Sequence, residues 1–386
     1  MSRIRMDGPT RDSAPRFSRP TTLPDAEREL RVCNACRYCE GYCAVFPAME
    51  RRLTFTDADV QFLANLCHDC GECLDACQYA PPHEFGVNLP DVFASVRRHT
   101  YATHARPRAF ARLFAHDVAV AAGVALVVPA LTLTWLMSVA DAGAFSSAHA
   151  DAEGAFYAVV PHGPLVATFG ALAVLVAWAL VAGPLAFWRE LGEPTSALLD
   201  GAAWRRAAVD ALTLRYLHGG GAGCGDLDDR GGAARRRFHH CTAYGLLLCV
   251  VSTTMAAVYH NVMGWRAPYP VLSVPVVLGL TGGAGLIVGP TGLLWLAATG
   301  RARRAPAQAS MDVVFVGLLF VTSVTGFALL WLRESAMMGV ALAVHLGVVA
   351  GLLATLPYGK FVHATYRLCA LVKHARESAS SRRGSE

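Results

Sequence analysis

The sequence predicts an all-α membrane protein that carries a soluble metal-binding domain at its N-terminus. The chain has 386 residues, of which 54% are hydrophobic and 16% are charged, whereas about a quarter of the residues in soluble domains are charged. The long uncharged runs lie almost entirely between Val118 and Gly359. Eight of the twelve cysteines lie in two short runs before residue 78. Together these observations indicate one soluble part and one part within a bilayer.

The first 27 residues have no apolar core of the kind that a secretory signal peptide needs. We therefore expect residues 1–27 to form a disordered arm, and we expect the cysteines that follow to stay in the reducing cytoplasm. Clustered thiols in that compartment bind metals more often than they form disulfides. The two cysteine runs are thus candidate metal sites.

The runs RVCNACRYCEGYC (31–43) and CHDCGECLDAC (67–77) share one C-x2-C-x2-C-x3-C spacing. This spacing is typical of two-cluster ferredoxins, in which the fourth cysteine of each run binds the other cluster. The inferred ligands of two 4Fe–4S clusters are Cys33, Cys36, Cys39 and Cys77 for one, and Cys67, Cys70, Cys73 and Cys43 for the other. Structural zinc is the alternative, but it favours paired C-x2-C knuckles. We assign residues 28–100 to a double 4Fe–4S ferredoxin-like domain, and the apolar period between the runs predicts a helical one.

Six uncharged stretches are long enough to cross a bilayer, which takes about twenty apolar residues. They are Val118–Ala140, Leu165–Trp188, Cys241–Trp265, Val271–Leu296, Val313–Leu332 and Met338–Gly359. We therefore predict a six-helix transmembrane domain over residues 117–365. A linker at 101–116 joins it to the cluster domain, and a cytoplasmic tail follows at 366–386.

The placement of arginines predicts the orientation of these helices. The loops at 189–238 and 301–304 and the tail carry most of the Arg and Lys, while the loops on the other side are acidic or nearly uncharged. By the positive-inside rule both termini and the cluster domain face the cytoplasm, as in a multi-pass protein of a bacterial inner membrane. The basic runs could instead bind nucleic acid, but their position beside the membrane helices explains them fully. We therefore expect the lipid bilayer, and no nucleic acid, as a partner.

Histidines near the ends of two predicted spans are candidate haem ligands, because ionisable residues in membrane helices are functional candidates by default. His345 and His363 project from one helix face, roughly 27 Å apart along the axis. Antiparallel packing pairs His260 with His345 near the outer surface, and either His239 or His240 with His363 near the cytoplasm. Straight-helix geometry favours His239. The remaining histidines of this half are assigned to loops: His149, His162, His218 and His374.

Three further stretches carry a resemblance to a known family: DALTLRYLHGGGAGC, RRRFHHCTAYGLLLCVVSTTMAAVYHNVMGWRAPYP and GLTGGAGLIVGPTGLLWL. With the cysteine runs they resemble the tricarballylate-utilisation protein B (citrate-utilisation protein B) family. The last span, HLGVVAGLLATLPYGKFVH, is similar to the ligand-bearing helix of nitrate reductase gamma-type cytochrome b, which supports His345 and His363. The resemblance implies a membrane protein with iron–sulfur clusters and one or two b haems. It also implies that the protein reoxidises the reduced flavin of a FAD-dependent tricarballylate dehydrogenase.

The function hypothesis is electron transfer from such a flavoprotein to the membrane quinone, with no substrate chemistry in the chain itself. The alternative is the membrane subunit of a terminal reductase, which passes electrons from quinol to a soluble acceptor enzyme. The sequence contains neither G-x-G-x-x-G nor G-x-x-x-x-G-K-[ST], and the Gly-rich stretch at 219–225 is interpreted as a flexible loop.

Overall fold

The computed structural model of the chain describes residues 23–115, 118–139, 142–148, 153–217, 230–299 and 306–383. Within these ranges the regular structure is helical and no β-strand occurs, which confirms the predicted all-α class. Most of the predicted arm, the Gly-rich stretch at 219–225, His149 and His218 lie outside the described residues.

The N-terminal domain is built from short helices around the two cysteine runs. They are α1 (Leu23–Cys36), α2 (Val45–Glu50), α3 (Asp57–Leu66), α4 (Glu72–Asp75) and α5 (Leu89–His104). A capping box starts α3: the Thr56 hydroxyl accepts from the Asp59 N–H, and the Asp59 carboxylate accepts from the Thr56 N–H. These bonds satisfy donors that a helix start leaves free. Phe62 and Leu63 of α3 are fully buried, so the helix predicted between the two runs is present.

Two boundaries differ from the predicted ones. Residues 23–27, expected to be part of the arm, form the start of α1. The linker expected at 101–116 contains the last turn of α5 and a further helix, α6 (Arg108–Ala115). Phe110, Leu113 and Phe114 recur at helical spacing in α6, so the sequence carries a signal for this helix that the predicted linker overlooked.

Five helices of the described chain are long and apolar enough to cross a membrane. They belong to α10 (His162–Glu190), α12 (Arg230–Asn261), α13 (Val274–Ala298), α14 (Pro306–Leu332) and α15 (Met338–Thr355). The first predicted span is also helical, as α7 (Val118–Val139), and it packs against α15; a sixth crossing stays a prediction. Short helices lie in the connections: α8 (Ala142–Ser146), α9 (Ala155–Val159) and α11 (Gly201–Leu212).

Helices α12 and α13 approach each other closely through glycines. A Cβ atom on Gly282 would lie 2.7 Å from the Gly245 carbonyl oxygen and 2.9 Å from Cys249 Sγ. Small residues commonly allow such an approach between membrane helices. A Cβ on Gly289 would likewise lie 2.7 Å from the Phe238 carbonyl oxygen. This packing therefore fixes the beginning of the span in α12, where His239 and His240 lie.

Residues 366–383 of the predicted tail belong to one more helix, α16 (His363–Arg383), which follows a 3-10 turn at Lys360–Val362. Because α15 ends at Thr355, His345 and His363 do not lie on one continuous helix, so the predicted common helix face was wrong. Tyr366 and Ala370 of α16 are buried, and the helix packs against α3, α10 and α11. Arg52 of the cluster domain pairs with Glu377 of α16 at 2.6 Å. One continuous hydrophobic core thus joins the cluster domain to the ends of α10 and α16.

Candidate functional site

A first cavity is lined by the thiols of one predicted ligand set. Cys33 and Cys36 come from the last turn of α1, Cys39 from the turn that follows, and Cys77 from the loop after α4. Tyr38 also lines this cavity and is 66% exposed. The first cavity therefore lies close to the protein surface.

A second cavity adjoins the first and is lined by the other predicted set, Cys43, Cys67, Cys70 and Cys73. Gly71 begins α4 with φ of 90°, a left-handed conformation that favours glycine and turns the chain between Cys70 and Cys73. Cys73 also lines the first cavity, and it forms part of the wall between the two. In each cavity, the fourth cysteine of one run thus meets the first three cysteines of the other.

The chemistry and spread of these thiols fit iron–sulfur clusters. A 4Fe–4S cluster takes four cysteine thiolates, one on each iron, so its ligands need not converge on a single point. Among the described residues, no group of three or more His, Cys, Asp or Glu side chains could hold a single metal ion. Burial raises the pKa of Cys33 and Cys70 to about 12. Because thiolates are the ligands, cluster binding has to displace these protons.

Two buried arginines lie beside the second cavity. Arg367 of α16 is 8% exposed and donates to the Leu66 carbonyl at 2.5 Å, whereas its Nε and Nη2 atoms are buried without a hydrogen-bond partner. Arg97 of α5 is 4% exposed. It pairs with Asp69 at 3.3 Å and hydrogen-bonds the Cys67 side chain. The second cavity is therefore bordered by two cations, and Glu72 is also part of its lining.

Polar contacts hold the cluster domain on the membrane helices. Arg235 of α12 donates to the Cys70 carbonyl at 3.3 Å. Glu190 at the end of α10 accepts from Gln61 Nε2 and from His104 Nε2, both at 2.6 Å. The loop of the second cysteine run and helices α3 and α5 are thus fixed to the ends of membrane helices.

Three histidines lie on the membrane side of the second cavity. His68 lines this cavity and interacts electrostatically with His239 and His363. The ring centroids of His239 and His363 are 6.2 Å apart, with an angle of 83° between the ring planes. A metal–imidazole bond is about 2 Å, so two rings on opposite sides of one iron have centroids about 6 Å apart once the ring radii are added. The spacing of this pair would allow the two imidazoles to hold one haem iron between them.

The chemical state of the two rings also fits metal binding. His363 Nδ1 donates to the Lys360 carbonyl at 2.5 Å, which orients the ring and leaves Nε2 as the free acceptor. Burial lowers the pKa of His363 to about 4, so the ring is neutral, which is the form that binds metals. His239 Nδ1 is buried without a hydrogen-bond partner.

The other predicted haem histidines have different neighbours. His240 bonds a backbone carbonyl of α11 and lies against Tyr244. The ring of His260 stacks on His162 at 3.8 Å, and His345 Nδ1 lies 3.0 Å from a threonine hydroxyl of α14. In the described chain His260 and His345 make no ring contact, so their pairing stays a prediction.

Sequence reasoning missed several residues of this region. His162 and His374 were expected in loops, but they lie in α10 and α16. His68 stands inside the second cysteine run, and this position was the available signal. Arg97 and Arg367 carried no signal beyond their charge, because only the packing of α5 and α16 against the second run brings them to the cavity.

The fold and the thiol-lined cavities define a class: a helical membrane protein with a cysteine-rich helical domain at its N-terminus. Comparison with known proteins specifies the family. The model of "Citrate utilization protein B" matches residues 109–384, and that of the "Citrate utilization protein B Fer4-like domain" matches residues 26–103. Citrate utilization protein B of Escherichia coli is 49% identical over 375 residues, which cover 95% of either chain. The chain belongs to the Citrate utilization protein B family. No solved structure matches it.

The Fer4-like match gives the N-terminal domain an iron–sulfur character, which points to a role in electron transfer. This agrees with the sequence prediction at the level of the domain.

Proposed function

We propose that the chain is a membrane electron-transfer protein that reoxidises the reduced flavin of a tricarballylate dehydrogenase-like flavoprotein and passes the electrons to the quinone pool. The observation that carries this proposal is the crossed arrangement of the eight thiols in two adjoining cavities. The first cavity would hold one 4Fe–4S cluster and the second cavity the other. The clusters and a b haem, when bound, supply one-electron carriers.

The residues around the cavities give the electron path a direction in space. The first cavity lies close to the surface at Tyr38, where a flavoprotein can approach. Cys73 contributes to both cavities and keeps their contents close together. His68 lines the second cavity and interacts electrostatically with His239 and His363. These residues are the neighbouring groups that would carry electrons from the first cavity toward α12 and α16.

His239 and His363 are the residues that we propose hold a haem near the cluster domain. Support comes from their 6.2 Å spacing and from the bond that orients the His363 ring. His345 and His260 are the proposed ligands of a second haem toward the other surface, and their support is their position in the predicted spans alone. His240 is the less suitable partner of His363, because its ring bonds α11.

The proposal includes a place in the cell. The basic loops and the positive-inside rule put both termini and the cluster domain on the cytoplasmic side of a bacterial inner membrane. The contact of Arg235 with the second cysteine run supports the same side for the cluster domain and the beginning of α12. Quinone is the acceptor expected within the bilayer.

Cysteine variants test the ligand sets in the purified full-length protein. We expect roughly eight irons per chain in the wild type and roughly four in Cys43→Ser and in Cys77→Ser. The two variants lose different clusters, which iron and sulfide analysis combined with electron paramagnetic resonance would distinguish. Cys241→Ser, outside both cavities, is the matched control and keeps the full iron content. Zinc in place of iron in the wild type would overturn the proposal.

Histidine variants test the haem assignment. Haem per chain is measured by pyridine haemochrome in His363→Ala, His239→Ala, His345→Ala and His260→Ala, with His240→Ala as the control. We expect His363→Ala and His239→Ala to lose the same haem and His240→Ala to lose none. A full haem complement in His363→Ala would contradict the assignment.

A further inference from the structure

The two cavities differ in the charge of the side chains around them. The charged side chain that acts on Cys33 in the first cavity is the carboxyl of Glu29. In the second cavity, the guanidinium of Arg367 acts on Cys43. The guanidinium of Arg235 and the carboxyl of Glu72, which lines this cavity, act on Cys70 in opposite directions. The first cavity is thus next to an acid, whereas the cations Arg367 and Arg235 outnumber Glu72 at the second.

Arg367 has a partner for only one of its nitrogens. Its Nη1 donates to the Leu66 carbonyl, while Nε and Nη2 are buried without hydrogen-bond partners. Burying a charge is costly unless an opposite charge compensates it. The side chains of Cys43, Cys67 and Cys70 interact with this guanidinium. An anionic cluster in the second cavity would therefore supply the compensation that the protein atoms lack.

Arg97 contributes in the same sense but less strongly. It hydrogen-bonds the Cys67 side chain, and its charge is partly balanced by Asp69 at 3.3 Å. An arginine guanidinium is always protonated in proteins, so Arg367 is charged at neutral pH. Arg367 is thus the dominant uncompensated cation at the second cavity.

We propose that Arg367, with Arg97, holds the cluster of the second cavity at a higher reduction potential than the cluster of the first cavity, so that an electron moves toward the membrane helices. This inference rests on the proposed function and deepens it. Reduction adds a negative charge to a cluster, and a nearby buried cation stabilises that charge because screening is weak there. Net charge and hydrogen bonds to sulfur are known determinants of cluster potential.

Potentiometric titration of the full-length protein, followed by electron paramagnetic resonance, tests the inference. Cys43→Ser identifies which signal belongs to the second cavity. In Arg367→Gln we expect the equilibrium for electron sharing between the clusters to shift at least tenfold toward the first cluster. For a one-electron couple this corresponds to about 59 mV. The potential of the first cluster stays unchanged.

Two further variants complete the test. Asp69→Asn removes the partner of Arg97 and should raise the potential of the second cluster, and it decides the question if Arg367→Gln fails to assemble. Arg333→Gln is the control, because Arg333 follows the last residue of α14 and lines neither cavity. This substitution should leave the potentials of both clusters unchanged. The comparison applies to variants in which both clusters are present. The inference is overturned if either Arg367→Gln or Asp69→Asn leaves the potential of the second cluster unchanged. It is also overturned if either substitution moves the potentials of both clusters equally. Absence of clusters from the wild type would instead overturn the proposed function.

Discussion

Glu190 connects the cluster domain to the membrane helices, and the stability effect of removing it can be worked from its contacts. Its carboxylate accepts from Gln61 and His104, both at 2.6 Å. Gln61 and His104 are each 3% exposed, so Glu190→Ala leaves two buried polar groups without this partner, at about 1–3 kcal/mol each. The Glu190 side chain is 43% exposed, and water reduces the loss. We expect the free energy of unfolding to fall by about 2–4 kcal/mol.

The assay is denaturant unfolding of the purified full-length protein in detergent, with hydrogen exchange to locate the change. The exchange should rise in α3 and α5, because these helices carry Gln61 and His104. Glu334→Ala is the control, since its side chain is 62% exposed and pairs with the neighbouring Arg333 at 3.3 Å. Such a surface pair contributes about 0–1 kcal/mol. An equal effect of both variants would refute the role of Glu190 in docking.

Two further predictions concern packing and pH. Gly282→Ala should destabilise the protein by about 1–3 kcal/mol, because the added Cβ would lie 2.7 Å from the Gly245 carbonyl oxygen. Gly317→Ala is the control and should not destabilise it, because nothing lies within 4 Å of a Cβ at that position. Thermal unfolding compares the two variants. Burial raises the pKa of Glu29 from 4.5 to about 7, so the folded state holds this proton more tightly. The resulting stability is present below pH 4.5 and is lost as the pH rises through about 7. Glu29→Gln should remove that dependence, measured by denaturant unfolding across this range.

Each of these two predictions has an outcome that contradicts it. Equal melting temperatures for Gly282→Ala and Gly317→Ala would mean that α12 and α13 do not approach as closely as described. An unchanged slope of stability against pH in Glu29→Gln would mean that this carboxyl is not the buried group that titrates.

Much of the fold follows from local sequence signals. The cysteine spacing located both cavities. Apolar runs located the membrane helices, because a segment within lipid needs apolar side chains and must make its backbone hydrogen bonds internally. The helical angle between His239 and His240 favoured the residue that faces His363 in the structure. These signals are short-range and periodic.

Other features depend on packing between distant segments. Helix α16 is mixed in polarity, and its burial depends on α3, α10 and α11, so its sequence alone predicted only a tail. Arg367 reaches the second cavity because α16 packs there, and the interaction of His162 with His260 needs α10 and α12 to meet. A single sequence carries no periodic signal for such contacts.

We propose that one chain passes electrons from its thiol-held clusters to histidine-held haem. The most direct measurement mixes the anaerobic, purified protein rapidly with a photoreduced flavin and follows the cluster and b-haem absorbance separately. We predict that the clusters bleach first and that haem reduction follows. In Cys43→Ser we predict haem reduction at least tenfold slower. Haem that reduces equally fast in that variant, or stays oxidised beside fully reduced clusters in the wild type, would contradict the account.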